Sequence, residues 1–414
     1  MITTDVQLRP QPGSVADLNA QPGFGAENLP YASFAPYGED PRLGVRIGNK
    51  ILGVAAAVEY DGRRSQALVN AVLGQNLDGL LKAGRPIWDE LRAMLTQQVT
   101  SAEAASSLEV HDLRDVSLFM PFTVADYVDF YASEHHATNV GRIFRPDQRP
   151  LTTNWKYLPI GYHGRSGTIV ASGTEIVRPK GLRPEPKGSP TFGPSRKLDI
   201  EAEVGFVIGG AAPQGEVKLA DTENHIFGTV LVNDWSARDI QAFEYVPLGP
   251  FLGKSFATSI SPWVVPMAAL SCASIEPPTR DADLAEYLDD GSARASGLDI
   301  SLEISINNKL VSRPPFASMY WTPAQMLAHM TVNGASLRPG DFFASGTVSG
   351  PGRDQRGSLL ELTWNGRDPL TLTDGGKMCF LEDGAEVVIR ATAPGPSGTS
   401  ICFGEVAGRI VPAT

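Results

Sequence analysis

The sequence contains little cysteine, with only Cys272, Cys379 and Cys402 among its 414 residues. The three are widely separated and form no Cys-x-x-Cys pair, and an odd number argues against a disulfide framework. No apolar run approaches the roughly 18 residues that a membrane-spanning helix needs. The first residues, MITTDVQLRPQPGS, show no basic segment followed by an apolar one, as a secretory signal would. We therefore expect a cytoplasmic protein with no membrane partner.

Positive charge is also scarce. Lysine and arginine total 35 against 46 aspartate and glutamate residues, a formal net charge of -11. This balance disfavours nucleic acid and anionic membrane surfaces as partners. An anionic substrate would have to be held by individually placed arginine or lysine side chains, against the overall charge of the protein.

No internal repeat or low-complexity run interrupts the chain, whose 42 glycines and 32 prolines are spread along its length. This spacing of turn residues is typical of a mainly β protein with some helix. Residues 31 to 60 read as a small β module, and PIWDELRAMLTQQV, starting at Pro86, predicts an amphipathic helix. The small, polar segment TSAEAASSLEV favours a division into two domains, residues 1–118 and 119–414.

The stretch PLGPFLGKS, residues 247 to 255, resembles a nucleotide-binding loop because it ends in Gly253-Lys254-Ser255. Such a loop requires four residues between its first glycine and its Gly-Lys pair, whereas only three separate Gly249 from Gly253. The preceding segment, NDWSARDIQAFEYV, is polar and aromatic and does not read as the buried strand that precedes a phosphate loop. The pattern therefore does not predict a nucleotide site, and the role of Lys254 needs another explanation.

The clearest predicted strand is DIEAEVGFVI, residues 199 to 208, whose apolar side chains alternate and so share one face. Glu201 and Glu203 share the opposite face, where two like charges repel unless a cation lies between them. A solvated outer face is the alternative explanation, since antiparallel sheets often expose one side to water.

Two other segments carry carboxylates in informative places. Val230 to Val232 predict a strand that ends at Asp234, and strand ends are where sites are usually built. In DYVDFYASEHHATNVGRIFRP, the alternation would place Tyr127, Asp129 and Tyr131 on one strand face, just before His135 and His136. Taken alone, Asp129 or His136 fits an ordinary surface or core role. Together, Asp129, Glu201, Glu203 and Asp234 offer only hard oxygen ligands, which suit calcium or magnesium.

The chain resembles the fumarylacetoacetate hydrolase family over nearly its whole length. The resemblance is carried by DFYASEHHATNVG, LPIGYHGR, DIEAEVGFVIG, ASGTVSGP and the long block HIFGTVLVNDWSARDIQAFEYVPLGPFLGKSFATSISPWVVPM. It implies an N-terminal SH3-like β-barrel, a C-terminal mixed β-sandwich or β-roll domain, and a homodimer. The segment NLPYASFAPYGEDPRLGVRIGNKIL resembles the N-terminal domain that the family's smaller acylpyruvate hydrolases and decarboxylases lack.

The resemblance also implies roles for individual residues. It makes Asp129, Glu201, Glu203 and Asp234 ligands of Ca²⁺, which would relieve the repulsion between the two strand glutamates. It places Mg²⁺ near Asp234, Lys254 and Thr258, where Lys254 would use its backbone carbonyl because an ammonium group cannot ligate a cation.

The reaction implied is hydrolysis of the carbon–carbon bond of 4-fumarylacetoacetate to fumarate and acetoacetate, the last step of tyrosine and phenylalanine breakdown. His136 would be the general base and Glu361 its partner, with His135 a less suitable base. Arg238, Gln241 and Lys254 would stabilise the oxyanion. The substrate-contacting positions are Tyr131, Arg145, Tyr162, Gln241, Tyr245 and Thr347.

Three alternatives remain open at this point. Tyr162 and Thr347 lie among glycines and could serve only turns. A related acylpyruvate or diketo-acid hydrolase or decarboxylase would use the same carboxylates. A non-catalytic calcium-binding protein on the same scaffold would be expected to lack the base or the oxyanion donors, and the sequence retains both.

Overall fold

The structure is a computed structural model. It describes residues 22–62, 64–101, 108–210, 215–289, 291, 296–373 and 375–414. The segment MITTDVQLRPQPGS, from which the absence of a secretory signal is predicted, lies outside these residues. So does most of TSAEAASSLEV, the segment on which the domain division was predicted.

The N-terminal part begins with a small antiparallel sheet in the order β4-β3-β2-β1-β5. Tight turns at Gly38 and Gly48, both with positive φ, connect its first three strands, as the sequence predicts. The small β module predicted for residues 31 to 60 is therefore confirmed over residues 31–53, whereas residues 54–60 form a helix and not a strand. Its strands are β1 (Tyr31–Pro36), β2 (Arg42–Ile47), β3 (Lys50–Gly53), β4 (Val110–Asp112) and β5 (Val116–Phe119).

Within the described residues, four α-helices lie between β3 and β4. They are α1 (Val54–Tyr60), α2 (Gln66–Val72), α3 (Asp78–Ala83) and α4 (Arg85–Thr100). The predicted amphipathic helix is confirmed as α4, with a proline in its first turn and one buried face that includes Trp88, Leu91 and Leu95.

The C-terminal part contains many short strands and a few helices, so the predicted mainly β character is confirmed. Its helices are α5 (Glu134–Phe144), α6 (Arg238–Glu244), α7 (Pro323–Thr331) and α8 (Leu359–Leu362). Its strands are β6 (Asp126–Phe130), β7 (Gly161–His163), β8 (Ile169–Ala171), β9 (Ile176–Val177), β10 (Lys180–Arg183), β11 (Thr191–Pro194), β12 (Leu198–Asp199), β13 (Ala202–Ile208), β14 (Ile226–Asp234), β15 (Ser236–Ala237), β16 (Thr258–Ile260), β17 (Val265–Pro266), β18 (Ser274–Ile275), β19 (Gly297–Leu298), β20 (Ser301–Ile306), β21 (Lys309–Ser312), β22 (Asp341–Ala344), β23 (Leu370–Thr371), β24 (Lys377–Met378), β25 (Glu386–Pro394) and β26 (Ser400–Val411).

Two sheets form the body of this part. The larger runs β7-β6-β22-β13-β14-β16-β8, with β17 paired to β14, and the other runs β21-β20-β25-β26-β9. Phe206 and Leu231 of the large sheet share one apolar core with Ile389 and Val406 of the second sheet. Strand β25 alternates buried and more exposed residues, because its other face is turned away from this core.

The opposite face of the large sheet packs against the N-terminal part. Val207, Val230 and Phe342 lie in the same apolar core as the buried residues of α4, and the rings of Trp88 and Phe227 meet edge to face at 5.1 Å. The large sheet is therefore a middle layer covered on both faces, and polar groups on it are kept from water. Among the described residues, no helix is both long and apolar enough to cross a membrane.

The prediction of one continuous strand over residues 199 to 208 is wrong at its start. Strand β13 begins at Ala202, while Leu198 and Asp199 pair instead with β15. The Asp199 carboxylate accepts the N–H of Ile200 at 2.7 Å and the Asn233 side chain accepts that of Glu201 at 3.2 Å, so these two N–H groups are satisfied outside the strand ladder. This break brings the backbone of residues 199 to 201 beside the end of β14.

Candidate active site

Four carboxylates converge at one end of the large sheet. Asp129 lies on β6, Glu203 on β13 and Asp234 at the end of β14, while Glu201 immediately precedes β13. One oxygen from each lies within 4.8 Å of the others, and all four side chains are buried. The pairing of β13 with β14 sets Ala202 opposite Asn233, and the Asp234 N–H donates to the Glu201 carbonyl at 3.1 Å. Convergence therefore follows from strand register, which sequence spacing alone does not reveal.

The solvated-face explanation for the two strand glutamates is wrong, since Glu203 is 0% and Glu201 5% exposed. Within the described residues, Asp129 Oδ1 and both carboxylate oxygens of Glu203 are buried without a hydrogen-bond partner. Burial, and then the neighbouring carboxylates, raise the pKa of Asp129 and of Glu203 well above the usual range. Such orphaned, hard oxygens fit a divalent cation such as calcium or magnesium.

Lys254 lies against the same cluster. Its ammonium group donates to Glu201 Oε2 and Asp234 Oδ2. Burial alone would lower the pKa of Lys254, but Asp234 and Glu201 outweigh it and raise the pKa. Asp234 also accepts from the Thr258 hydroxyl at 2.7 Å and from the Tyr162 hydroxyl at 3.3 Å. The structure thus brings together Asp234, Lys254 and Thr258, the three residues implied for a magnesium site.

Arg238, the first residue of α6, lies on the other side of Glu201. Its Nη1 is 2.7 Å from Glu201 Oε1 and 3.2 Å from Gln241 Oε1, and its Nε donates to Asp199 Oδ2 at 2.8 Å. Burial alone would lower the pKa of this guanidinium, but the Glu201 and Asp199 carboxylates outweigh burial and raise the pKa. Its Nη2 is buried without a partner within the described residues. A buried cationic N–H without an acceptor favours an anionic oxygen supplied from outside the chain.

A histidine–carboxylate pair completes the centre. Ser133 caps the N-terminus of α5 by accepting the His136 N–H at 3.2 Å. The His136 Nδ1 lies 2.7 Å from Glu361 Oε2. Burial alone would raise the pKa of Glu361, but the His136 charge and several hydrogen bonds lower it. Both side chains are buried, at 2% and 0% exposure.

Three residues that the sequence analysis missed hold Glu361. Asn139 Nδ2 donates to Oε1 at 2.9 Å, and the hydroxyls of Ser349 and Ser358 each donate to Oε2 at 2.9 Å. Two of them had a local signal: Asn139 is three residues after His136 on one helix, and Ser358 is three residues before Glu361 at an N-cap position. Ser349 had none, because it reaches Glu361 from a separate loop.

The pair and the carboxylate cluster belong to one site. The Tyr131 ring meets the His136 ring edge to face at 5.2 Å. Burial alone would raise the pKa of Glu201, but Lys254, Arg238 and then the His136 charge outweigh it and lower the pKa. Burial, and then Glu361 and Glu201, raise the pKa of Tyr131. The Tyr131 hydroxyl is therefore un-ionised and available as a hydrogen-bond donor.

The remaining predicted substrate positions surround this centre in different ways. Thr347 is buried and its hydroxyl has no partner among the described residues. Arg145 follows α5 and donates to the Pro150 carbonyl at 2.8 Å. Tyr245 follows α6, is 43% exposed, and opens a segment whose Leu248 is 97% exposed. Tyr131 contacts His136 and Tyr162 contacts Asp234, so both lie at the centre. Tyr245 lies at the solvent-exposed surface.

Chemically, the site combines the elements needed to attack a carbonyl with water. His136 has one ring nitrogen held by an ionised carboxylate, and four carboxylates could hold a cation that polarises the carbonyl. Arg238 carries a buried N–H group with no partner in the part of the chain that the structure describes. This set of groups is suited to acyl or ketone chemistry.

Family models and curated proteins match this chain over most of its length. Residues 27–122 match the family model described as fumarylacetoacetase N-terminal, and residues 126–411 match that described as fumarylacetoacetate (FAA) hydrolase C-terminal. Fumarylacetoacetase of Arabidopsis thaliana is 42% identical, covering 96% of this chain and 98% of its own. Fumarylacetoacetase of Homo sapiens is 41% identical, covering 94% and 96% respectively.

Solved structures share the fold at much lower identity. A fumarylacetoacetate hydrolase from psychrophilic Exiguobacterium antarcticum aligns with a TM-score of 0.54 at 16% identity, covering 93% of this chain and 100% of its own. Maleylpyruvate hydrolase from Sphingobium sp. SYK-6 aligns with a TM-score of 0.51 at 16% identity and the same coverage.

Proposed function

The chain belongs to the fumarylacetoacetase family, and from this premise we propose that it hydrolyses the carbon–carbon bond of 4-fumarylacetoacetate to fumarate and acetoacetate. It is a hydrolase whose curated relatives match it over nearly the full chain. The observation that carries the proposal is the meeting, in one buried centre, of the His136–Glu361 pair, the four carboxylates and Arg238 Nη2, which has no partner among the described residues.

The proposed reaction begins with a water molecule beside His136. Because Nδ1 is hydrogen-bonded to the ionised Glu361, the other ring nitrogen, Nε2, is left to accept a proton from that water. The water oxygen bonds to the ketone carbon, whose oxygen takes the negative charge. Arg238, Gln241 and Lys254 would stabilise this oxyanion, and Arg238 Nη2 has no acceptor of its own within the residues that the structure describes.

The tetrahedral species then breaks its carbon–carbon bond. The electron pair leaves with the acetoacetate fragment as an enolate, while the carbonyl of the fumarate fragment reforms. The protonated His136 can return its proton to the enolate carbon, which regenerates the base and balances the hydrolysis. Burial of the centre favours this sequence because it keeps bulk water away from the enolate.

Asp129, Glu201, Glu203 and Asp234 would hold a calcium ion, and the backbone carbonyl of Lys254, with Asp234 and Thr258, would lie near a magnesium ion. When bound, the divalent cation supplies Lewis acidity for the substrate's carbonyl oxygens. The chain's own contribution is to keep three carboxylate oxygens, one of Asp129 and two of Glu203, buried in this centre with no hydrogen-bond partner among the described residues.

The finer assignments follow the same proposal. Tyr131, Arg145, Tyr162, Gln241, Tyr245 and Thr347 would contact the substrate, and Arg145 is suited to hold a substrate carboxylate. We propose that residues 1–118 and 119–414 are the two domains, that the protein is a cytoplasmic homodimer, and that the reaction ends tyrosine and phenylalanine breakdown.

A related hydrolase or decarboxylase acting on another acylpyruvate or diketo acid is the second candidate, because the carboxylates and fold would serve it equally. The match of residues 27–122 to the fumarylacetoacetase N-terminal model favours the first candidate. A non-catalytic calcium-binding protein is a poorer explanation, since Glu361 would not need three additional hydrogen-bond donors in such a protein.

The decisive experiment follows the conjugated enol absorbance of fumarylacetoacetate mixed with purified protein. We expect the absorbance to disappear, with fumarate and acetoacetate formed in equal amounts. An acylpyruvate assayed in parallel distinguishes the second candidate, which would turn over that compound instead. Metal-loaded, folded protein that consumes neither compound would contradict the proposed hydrolysis.

A further inference from the structure

Asp199 is a fully buried carboxylate that no step above uses. It is 0% exposed, and three backbone N–H groups hold it in place. Its Oδ1 accepts from Leu359 at 2.7 Å and from Ile200 at 2.7 Å, and its Oδ2 accepts from Leu360 at 3.0 Å. An anion that accepts several backbone N–H bonds inside a protein is fixed in both position and orientation.

The fourth contact of Asp199 is to the guanidinium of Arg238. The Arg238 Nε donates to Oδ2 at 2.8 Å, and Nη1 is paired with Glu201 at 2.7 Å. Two anions thus hold two different nitrogens of one planar group, which determines the plane of the guanidinium. The remaining nitrogen, Nη2, has no partner within the described residues. Its direction is therefore set by the contacts of Nε and Nη1.

Asp199 also connects Arg238 to the helix that bears Glu361. Leu359 and Leu360 form the first turn of α8, whose third residue is Glu361. A carboxylate at a helix N-terminus is favoured by the orphan N–H groups there. The same carboxylate therefore binds both the start of the Glu361 helix and the guanidinium.

We infer that Asp199 is a positioning residue, which sets the orientation of Arg238 so that Nη2 meets the developing oxyanion while the α8 backbone holds Asp199 rigid. This inference rests on the proposed hydrolysis and deepens it. Without Asp199, the guanidinium would keep its pairing with Glu201 but could rotate about it. Substrate binding depends on other contacts, so the loss is expected in kcat.

The first test is the near-isosteric variant Asp199→Asn. An asparagine keeps an acceptor for Ile200 and Leu359 but turns an amide N–H₂ group toward Arg238 Nε. We expect kcat for fumarylacetoacetate to fall about 10- to 100-fold, as for a catalytic group that is present but misplaced. KM should stay within about twofold of the unaltered protein, since ground-state binding is retained. A kcat equal to that of the unaltered protein would overturn the inference.

A double-mutant cycle with Arg238→Gln separates positioning from a general structural role. If Asp199 acts through Arg238, Asp199→Asn should lower kcat by less than about threefold in the Arg238→Gln background. The same fold-loss in both backgrounds would show that Asp199 acts independently of Arg238, and would overturn the inference.

Should Asp199→Asn fail to fold, Asp199→Glu replaces it, because the charge is kept and only displaced by one methylene. We expect reduced kcat there also, and an unchanged kcat would count against positioning. Turnover by the unaltered protein is measured alongside. An inactive unaltered protein contradicts the proposed hydrolysis itself, whereas active unaltered protein with fully active Asp199 variants contradicts only the inference.

Discussion

The imidazole Nδ1 of His136 lies 2.7 Å from the carboxylate of Glu361, although 225 residues separate the two in the chain. The contact is made where α5 and α8 meet, and each helix has its own serine cap. Glu361 also accepts hydrogen bonds from Asn139, Ser349 and Ser358. Both of its carboxylate oxygens are therefore satisfied without water. We propose that Glu361 orients the histidine and stabilises the imidazolium.

Removing the imidazole should stop the reaction without emptying the metal site. We expect His136→Ala to lower kcat by about 10²- to 10⁴-fold, the usual contribution of a general base. Calcium affinity measured by calorimetry should stay near that of the unaltered protein. The matched control is the adjacent His135→Ala, which should keep near-normal kcat. Loss of calcium binding in His136→Ala would mean that this histidine is a ligand.

Glu361 should make stability depend on pH in the acidic range. Its pKa is lowered in the folded protein from the ordinary 4.5, so the unfolded chain binds the proton more readily. The stabilisation is therefore complete above the unfolded pKa and is lost as pH falls through the folded one. We expect the difference in unfolding free energy between the unaltered protein and Glu361→Gln to shrink between about pH 6 and pH 3. Urea titrations would measure it, and a difference that does not change with pH would contradict the assignment.

The proposed oxyanion donors should differ in their effect on stability. Losing a donor costs about 3 to 4 kcal/mol of transition-state stabilisation, or about 10²- to 10³-fold in kcat. Lys254→Met should show this loss together with a lower melting temperature, because it leaves Glu201 and Asp234 without the ammonium group.

Gln241→Leu is the matched comparison, since Gln241 is only partly buried and its described side-chain contact is with Arg238. It should lower kcat with little change in melting temperature. If both variants lost stability equally, or if Gln241→Leu kept full kcat, the grouping of these residues as oxyanion donors would be wrong.

The sequence predicted the parts of this centre that depend on local pattern. The strand ending at Asp234 follows from the apolar run Val230 to Val232, and, outside the centre, the helix that includes Pro86 follows from apolar periodicity. Strand alternation puts Glu201 and Glu203 on one side, but the alternation alone leaves open whether a cation or solvent lies beside them.

What the sequence could not predict depends on long-range pairing. The break at residues 200 and 201 arises from Asp199 and Asn233, whose hydrogen bonds need the folded sheet. Ser349 reaches Glu361 from another loop. The contacts of Asp199 with α8 and Arg238 form only in the folded chain. No spacing in the chain encodes these contacts, since they form between segments that the sheet brings together.

Removing divalent metal should cost both stability and activity. Asp129 and Glu203 have buried oxygens without partners among the described residues, and a cation bound only by the folded state stabilises it. At a free cation concentration about a hundredfold above Kd, that stabilisation is about 2.7 kcal/mol. We therefore expect chelation to lower the melting temperature and abolish turnover, and added calcium or magnesium to restore both. Scanning calorimetry with each ion in turn would show which one is held more tightly.

The matched control is the double variant Asp129→Asn, Glu203→Gln, which keeps the shape of the site but removes two charges. Neutralising these carboxylates relieves their mutual repulsion, so the variant should be at least as stable as the chelated unaltered protein. It should also show no change in melting temperature with calcium or chelator. If its melting temperature still rose with calcium, the ion would be bound elsewhere. If the unaltered protein melted at the same temperature with and without metal, the four carboxylates would not form a cation site.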